Sequence, residues 1–376
     1  MPSLPGVYVH VPFCPTICPY CDFHVVRRHG GVVGAYLERL TQEAQQLFEQ
    51  YPDALQTLYF GGGTPSFLRN SELEALRAAL PWDVSEAEVT MEANPGTLNL
   101  GRAQLLKDLG INRLSLGVQS FDDRVLKTLG RAHARRGALQ AVELALGQGF
   151  RTSVDLILGL PGQDFAQDLR QAAELGVGHV SAYTLQVEPG TPFEVGQVRV
   201  DEDLEAAAFE QAEQILGGAG FRRYEVSNFA LPGQESRHNL LYWRSSFWGA
   251  LGPSAVGFYP NPSFTRDGVF AFRRKNPPLP RWLAGEAPSL EVVSALEFAK
   301  EALMLGLRTL QPLDLAELEG KTGLAVARPL EPMLGRLEGE GLLEYDRPRL
   351  RVTPRGRAIL HTLVLRLWEA LEPGPA

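Results

Sequence analysis

Cysteine is scarce in this chain, with three in 376 residues, so no disulfide framework can hold the fold and three thiols cannot all pair. Positive charge is also short: 36 Lys and Arg stand against 44 Asp and Glu, for a formal net charge of −8 and a pI near 5.5. That balance excludes a broad nucleic-acid surface, because phosphate binding needs net positive patches. A local basic patch is confined to Arg273, Arg274 and Lys275. No run approaches the roughly 20 apolar residues that span a bilayer, and no basic segment followed by a long apolar one opens the sequence. Apolar residues at 44% and charged ones at 21% mark a soluble globular protein with ample core, expected in the cytoplasm, where thiols stay reduced.

What cysteine there is falls in one place. Residues 7 to 23 read Val-Tyr-Val-His-Val-Pro-Phe-Cys-Pro-Thr-Ile-Cys-Pro-Tyr-Cys-Asp-Phe, giving C-x3-C-x2-C at Cys14, Cys18 and Cys21. Thiols this close, after a short β-rich run and broken by Pro15 and Pro19, converge on one point rather than scatter through a core. The nearest pairs are too close for an unstrained structural bridge. A structural zinc site wants four ligands, and only His10 or His24 could complete one locally. Iron-sulfur cubanes are normally held by four thiolates; three leave one iron open, which suits an iron that binds a substrate. A cluster fits the spacing best, with zinc and inert thiols the remaining readings.

Apolar periodicity divides the next part of the chain into alternating elements. Strands are expected at Val7–Val11, Leu55–Phe60, Val89–Ala93, Arg113–Val118, Thr152–Leu158 and His179–Gln186, with helices between them. Six βα units with short connections imply a parallel sheet curling toward a barrel, an α/β fold of partial (β/α)6 TIM-like form. In such folds the site lies at the carboxyl ends of the strands. The cysteines, the Gly61-Gly62-Gly63 turn, Glu92, Gln119 and Asp155 all fall at or near that end. Beyond Gly190, a helix at Leu204–Leu216 precedes one more strand at Arg223–Ala230, and proline-rich residues 276–288 read as a linker. From Ser289 a helical module ends in a turn-centred hairpin, a C-terminal α+β, winged-helix-like domain whose acidic setting favours docking over DNA reading. The expected division is 1–200 for the barrel, 201–288 for a barrel extension covering the site, and 289–376 for the C-terminal domain.

The C-x3-C-x2-C run with an aromatic before the third cysteine resembles the signature of radical S-adenosylmethionine (SAM) proteins. Together with Gly61-Gly-Gly-Thr-Pro65, Gly117-Val-Gln-Ser-Phe121, Leu129-Gly-Arg-Ala-His133, Asp155-Leu-Ile-Leu-Gly-Leu-Pro-Gly162 and Glu188-Pro-Gly-Thr191, it is similar to the oxygen-independent coproporphyrinogen III oxidase group. Within that group the chain resembles the HemW branch of heme chaperones. The decarboxylase branch carries a further cysteine two positions after the third, where Phe23 stands here. The chaperone branch carries an H-N-x-x-Y-W motif associated with heme, here His238-Asn239-Leu240-Leu241-Tyr242-Trp243. On a helix His238 and Tyr242 are i,i+4 neighbours, as are Asn239 and Trp243.

The resemblance implies a [4Fe-4S] cluster on Cys14, Cys18 and Cys21, with SAM on the open iron and Tyr8, Tyr20, Gly62, Gly63, Thr64, Glu92, Gln119, Arg131 and Asp155 around it. It implies that heme or a related tetrapyrrole is bound, with His238 as its main candidate ligand. It further implies delivery to an acceptor protein, a transiently met membrane protein among the candidates, and no nucleic acid. The alternative is a true coproporphyrinogen III oxidase, in which SAM would yield a 5'-deoxyadenosyl radical for propionate decarboxylation. Two departures bear on heme: Ser236 stands where the family often has cysteine, and Val256 where it often has histidine.

Overall fold

The computed structural model describes residues 3–28, 30–199, 201–264 and 268–372. Six parallel strands lie side by side in chain order: β1 (Gly6–Val11), β2 (Thr57–Gly62), β3 (Glu88–Ala93), β4 (Arg113–Gln119), β5 (Arg151–Leu158) and β6 (His179–Thr184). Each is followed by helix, the largest being α1 (Gly30–Gln50), α2 (Asn70–Ala78), α3 (Leu100–Asp108), α4 (Arg135–Gly147), α5 (Phe165–Glu174) and α6 (Glu202–Gly218). The expected barrel strands are all present, with ends moved by one or two residues.

The alternation along each strand sets the two faces. Val7, Val9, Leu58, Phe60, Leu114, Leu116, Val154 and Leu156 are buried in one core with Tyr36, Leu40, Leu73, Leu106, Val142 and Leu169 of the helices. The opposite set, which includes Tyr59, Ser115 and Asp155, borders an interior cavity and is polar. The barrel is therefore apolar outside, under its helices, and polar within.

Short strands extend the sheet at both edges. Gly249–Leu251 pairs in parallel with β1, and Asn228–Ala230 pairs antiparallel with β6 and with Arg222–Arg223. The single strand expected over Arg223–Ala230 is thus a tight pair of short ones, and Gly249–Leu251 had no forecast at all.

The proline-rich stretch is not a loose linker. It contains a helix at Leu279–Leu283 whose Trp282 is 1% exposed and lies 5.6 Å, ring to ring, from Tyr36 of α1. Glu43 of α1 clasps this region: it accepts from Gly252 N at 2.9 Å, from Asn276 Nδ2 at 2.7 Å and from Trp282 Nε1 at 3.3 Å, and pairs with Arg274 at 3.2 Å. A carboxylate this buried persists because every contact around it donates.

Ser289–Ser294 pairs with Val269–Lys275, which pairs with Val256–Pro260, so one three-stranded sheet runs across residue 289. Phe258, Phe270 and Val293 of this sheet share a second core with the helices Ala295–Gly306, Ala327–Gly339 and Leu360–Leu371. Ser294 caps the first of these helices reciprocally with Glu297. The hairpin Leu343–Asp346 and Arg349–Val352 follows Ala327–Gly339, giving the helix-then-wing order expected from the sequence. None of the described helices is long and apolar enough to cross a membrane.

Candidate functional site

Directly after β1, Phe13–Cys14 pairs in parallel with Val26–Arg27, which closes the intervening residues into a loop over the strand ends. Within it Cys21 N donates to Cys18 O at 3.1 Å. All three cysteines are free thiols and border one cavity of about 680 Å³. Tyr20, Gly62, Gly63, Thr64, Glu92, Gln119, Arg131 and Asp155 border the same cavity. Tyr8 does not: it borders a second, larger cavity of about 1120 Å³, which shares Gly62, Glu92 and Phe23 with the first.

Glycine is required at the turn after β2. Gly62 has φ of 105°, and a Cβ there would lie 2.4 Å from the His10 ring; a Cβ on Gly63 would lie 2.9 Å from the backbone of Phe13. The turn thereby packs directly under the cysteine loop, bringing Thr64 Oγ1 to 3.6 Å from Cys14 Sγ. Gln119 enters the cavity at a register shift between β4 and β5 and holds φ of 70°, uncommon for a residue with a Cβ.

Arg131 spans the site. Its guanidinium donates to Gly117 O at 2.8 Å and to Asn94 Oδ1 at 2.5 Å, and reaches Cys18 Sγ at 3.3 Å and Tyr20 OH at 3.5 Å. Its Nε is buried without a partner. Glu92 accepts from Tyr59 OH at 2.9 Å and from Gly62 N at 3.0 Å. Burial pushes its carboxyl up to about 7, against the pull of the Tyr59 hydrogen bond. Asp155 accepts from Ser115 Oγ at 3.0 and 3.1 Å and from Ser153 Oγ at 3.2 Å, and burial raises its carboxyl as well.

Burial pushes the Cys14 thiol up to about 11 and raises that of Cys21. A metal that binds here has to displace those protons, as thiolate coordination does. Among the described residues, no three His, Cys, Asp or Glu side chains close round a single ion. Three thiols ringing a cavity suit a polynuclear body better than one zinc ion.

The H-N-x-x-Y-W helix is Arg237–Trp243, capped by Ser236, whose hydroxyl accepts from Asn239 N at 3.3 Å. The i,i+4 reading holds, since His238 Nε2 and Tyr242 OH are 2.8 Å apart. The ligand reading does not. His238 is 1% exposed, its Nδ1 is 2.8 Å from Thr57 Oγ1, its backbone N donates to Glu88 Oε1, and its ring stacks on Tyr59 at 5.1 Å. Both ring nitrogens are engaged at the floor of the barrel, so neither is open to iron. The motif does not gather at one point either. Asn239 borders the cysteine cavity and Tyr242 the larger one, while half-buried Trp243 borders neither. His10 is likewise committed, through Tyr8 OH at 3.1 Å and His24 O at 2.8 Å.

Residues 8–175 match the model of the Radical SAM superfamily, and residues 293–359 match that of the HemN C-terminal domain. The Lactococcus lactis protein "Heme chaperone HemW" is 36% identical over 93% of this chain and 94% of its own. The chain belongs to the HemW family. The Escherichia coli HemW is 35% identical over 96% of this chain and 97% of its own. The Bos taurus relative, "Radical S-adenosyl methionine domain-containing protein 1, mitochondrial", is 35% identical over 98% of this chain and 88% of its own. In fold, the chain follows the E. coli coproporphyrinogen III oxidase HemN, with a TM-score of 0.80 at 21% identity over 98% of this chain and 91% of that one. HemW-family membership carries the radical SAM barrel and the HemN-type C-terminal domain with it.

Arg113, Ser115 and Tyr59 also border or brace the cysteine cavity but had no role in the sequence-based site. Their signal was available in the period-two pattern: residues 113, 115, 117 and 119 of β4 share the interior face.

Proposed function

We propose that this protein is a heme chaperone, which binds heme and passes it to an acceptor protein. The observation that carries the reading is identity of 33–38% along most of the chain to proteins bearing that name. In this reading Cys14, Cys18 and Cys21 hold a [4Fe-4S] cluster, and Gly62, Gly63, Thr64, Glu92, Gln119, Arg131 and Asp155 line the seat of SAM. When bound, that pair supplies reductive one-electron chemistry at the sulfonium. Arg131 is the cation for the SAM carboxylate, Glu92 the acceptor for its amine, and Asp155 with Gln119 meets the ribose hydroxyls. Support for a tetrapyrrole cargo comes from the larger cavity, where the Tyr8, Tyr242 and Trp248 rings offer flat surface and Lys275 and Arg281 offer cations for propionates. Phe23, 62% exposed, stands between the two cavities.

Anaerobic heme titration and coproporphyrinogen turnover on one reconstituted sample test this reading. A shifted Soret band without decarboxylation is the expected result. Turnover of coproporphyrinogen with SAM and reductant would transfer the assignment to the oxidase.

A second result follows from Glu92. Its carboxyl, raised to about 7 by burial, holds an amine only when charged, so SAM affinity should rise as pH passes upward through that value. Below it the affinity should fall by up to about tenfold per pH unit. Titration calorimetry from about pH 6 to about pH 8 would show the slope, and Glu92→Gln should flatten it and weaken binding throughout. A flat profile in the wild-type protein removes Glu92 from the amine.

A further inference from the structure

The cysteine cavity continues below Asp155 to the barrel floor, where it is bordered by Arg113, Ser115, Ser181 and Asn239. Arg113 opens β4 with its side chain on the interior face and is 2% exposed. Among the described residues it makes no side-chain hydrogen bond and no ion pair. Its charge reaches the Glu92 and Asp155 carboxyls, but their hydrogen bonds go to other donors, Glu92 to Tyr59 and Gly62 and Asp155 to Ser115 and Ser153. His179 and His238, which also feel the Arg113 charge, are kept neutral by burial. A guanidinium stays charged in a protein and presents five donors, so leaving it buried with none of them used is costly.

A second orphan lies beside it. Thr90 of β3 is paired in register with Arg113, and its buried Oγ1 has no hydrogen-bond partner. A guanidinium without a hydrogen-bond partner thus borders the end of the cavity, with an unpaired, fully buried hydroxyl beside it on the neighbouring strand. None of the roles given to SAM uses either group.

We propose that the barrel floor is a carboxylate-binding site, in which Arg113 takes the two carboxylate oxygens side by side. Planar fork-to-carboxylate pairing suits the donor set better than a lone phosphate oxygen or a halide would. The carboxylate can belong to a free small acid or to an arm of a larger ligand entering past Tyr183, which is 43% exposed at the cavity's side. The site does not depend on the cargo being heme.

The test uses the full chain with its cluster reconstituted, as wild type, Arg113→Met and Arg113→Lys. Succinate binding is measured by calorimetry, and heme is compared with its dimethyl ester. If the carboxylate is free, succinate binds the wild type, about tenfold or more weaker in Arg113→Met, with partial recovery in Arg113→Lys. If it is a cargo arm, succinate is silent, and the wild-type preference for heme over its ester falls by about tenfold or more in Arg113→Met, leaving only what Lys275 and Arg281 contribute. The proposal is overturned if succinate is silent and acid and ester bind alike in the wild type, or if Arg113→Met leaves the wild-type preference intact. Circular dichroism and iron content show whether each variant is folded and loaded. A failure of heme to bind at all leaves the succinate result to stand or fall alone, so it counts against the chaperone reading and not against this site.

Discussion

Cys18→Ala and Cys21→Ala are each expected to lower bound iron and acid-labile sulfide from about four per chain to near zero after anaerobic reconstitution. Three thiolates are the fewest that hold a cubane with an open iron, and no other cysteine exists in the chain to substitute. Stability without the cluster should change little, by about 1 kcal/mol or less. Both side chains are only half-buried, and neither belongs to the apolar clusters that hold the barrel and the C-terminal domain. Thermal melting of the apo-proteins separates this from a folding defect. Iron and sulfide retained in either variant would overturn the three-thiolate assignment. Zinc in stoichiometric amount in the wild type, with no sulfide, would replace the cluster altogether. SAM binding should fall with the cluster even though Arg131 and Glu92 remain in place.

How much of this was legible beforehand depended on whether a residue's position follows from local pattern or from packing. The parallel strands announced themselves as short apolar runs between helical periods, and the strand-end rule then gathered the cysteines, the glycine turn, Gln119 and Asp155 into one cavity. The same runs concealed Arg113. Read as the first residue of an apolar strand, it looked like a boundary, whereas the pleat turns it inward onto the barrel floor. Prolines between 276 and 288 suggested an open connection, yet Leu279 and Trp282 among them anchor the segment on α1 through contacts far away in sequence. Gly249–Leu251 is too short and too glycine-rich to show a period, and it becomes a strand because β1 offers an open edge.

The H-N-x-x-Y-W helix shows the same division most sharply, and His238→Ala tests it. Periodicity correctly placed His238 beside Tyr242, but the choice of which helical face meets the barrel belongs to tertiary packing, and here it buries the imidazole at the floor. Burial pushes that imidazole down to about 3, so it is neutral, and with Thr57 and Tyr242 on its two nitrogens it acts as a polar rivet between the helix and β2. Truncation to alanine leaves the Thr57 and Tyr242 hydroxyls without this partner and opens a void beside Tyr59. The expected cost is about 2–4 kcal/mol of stability, read by denaturant unfolding. Heme affinity per folded molecule should change by less than about threefold, because a shift in folding equilibrium alters the amount of binder and not its site. A variant with wild-type stability and no Soret shift would restore His238 as an iron ligand and require the helix to turn outward.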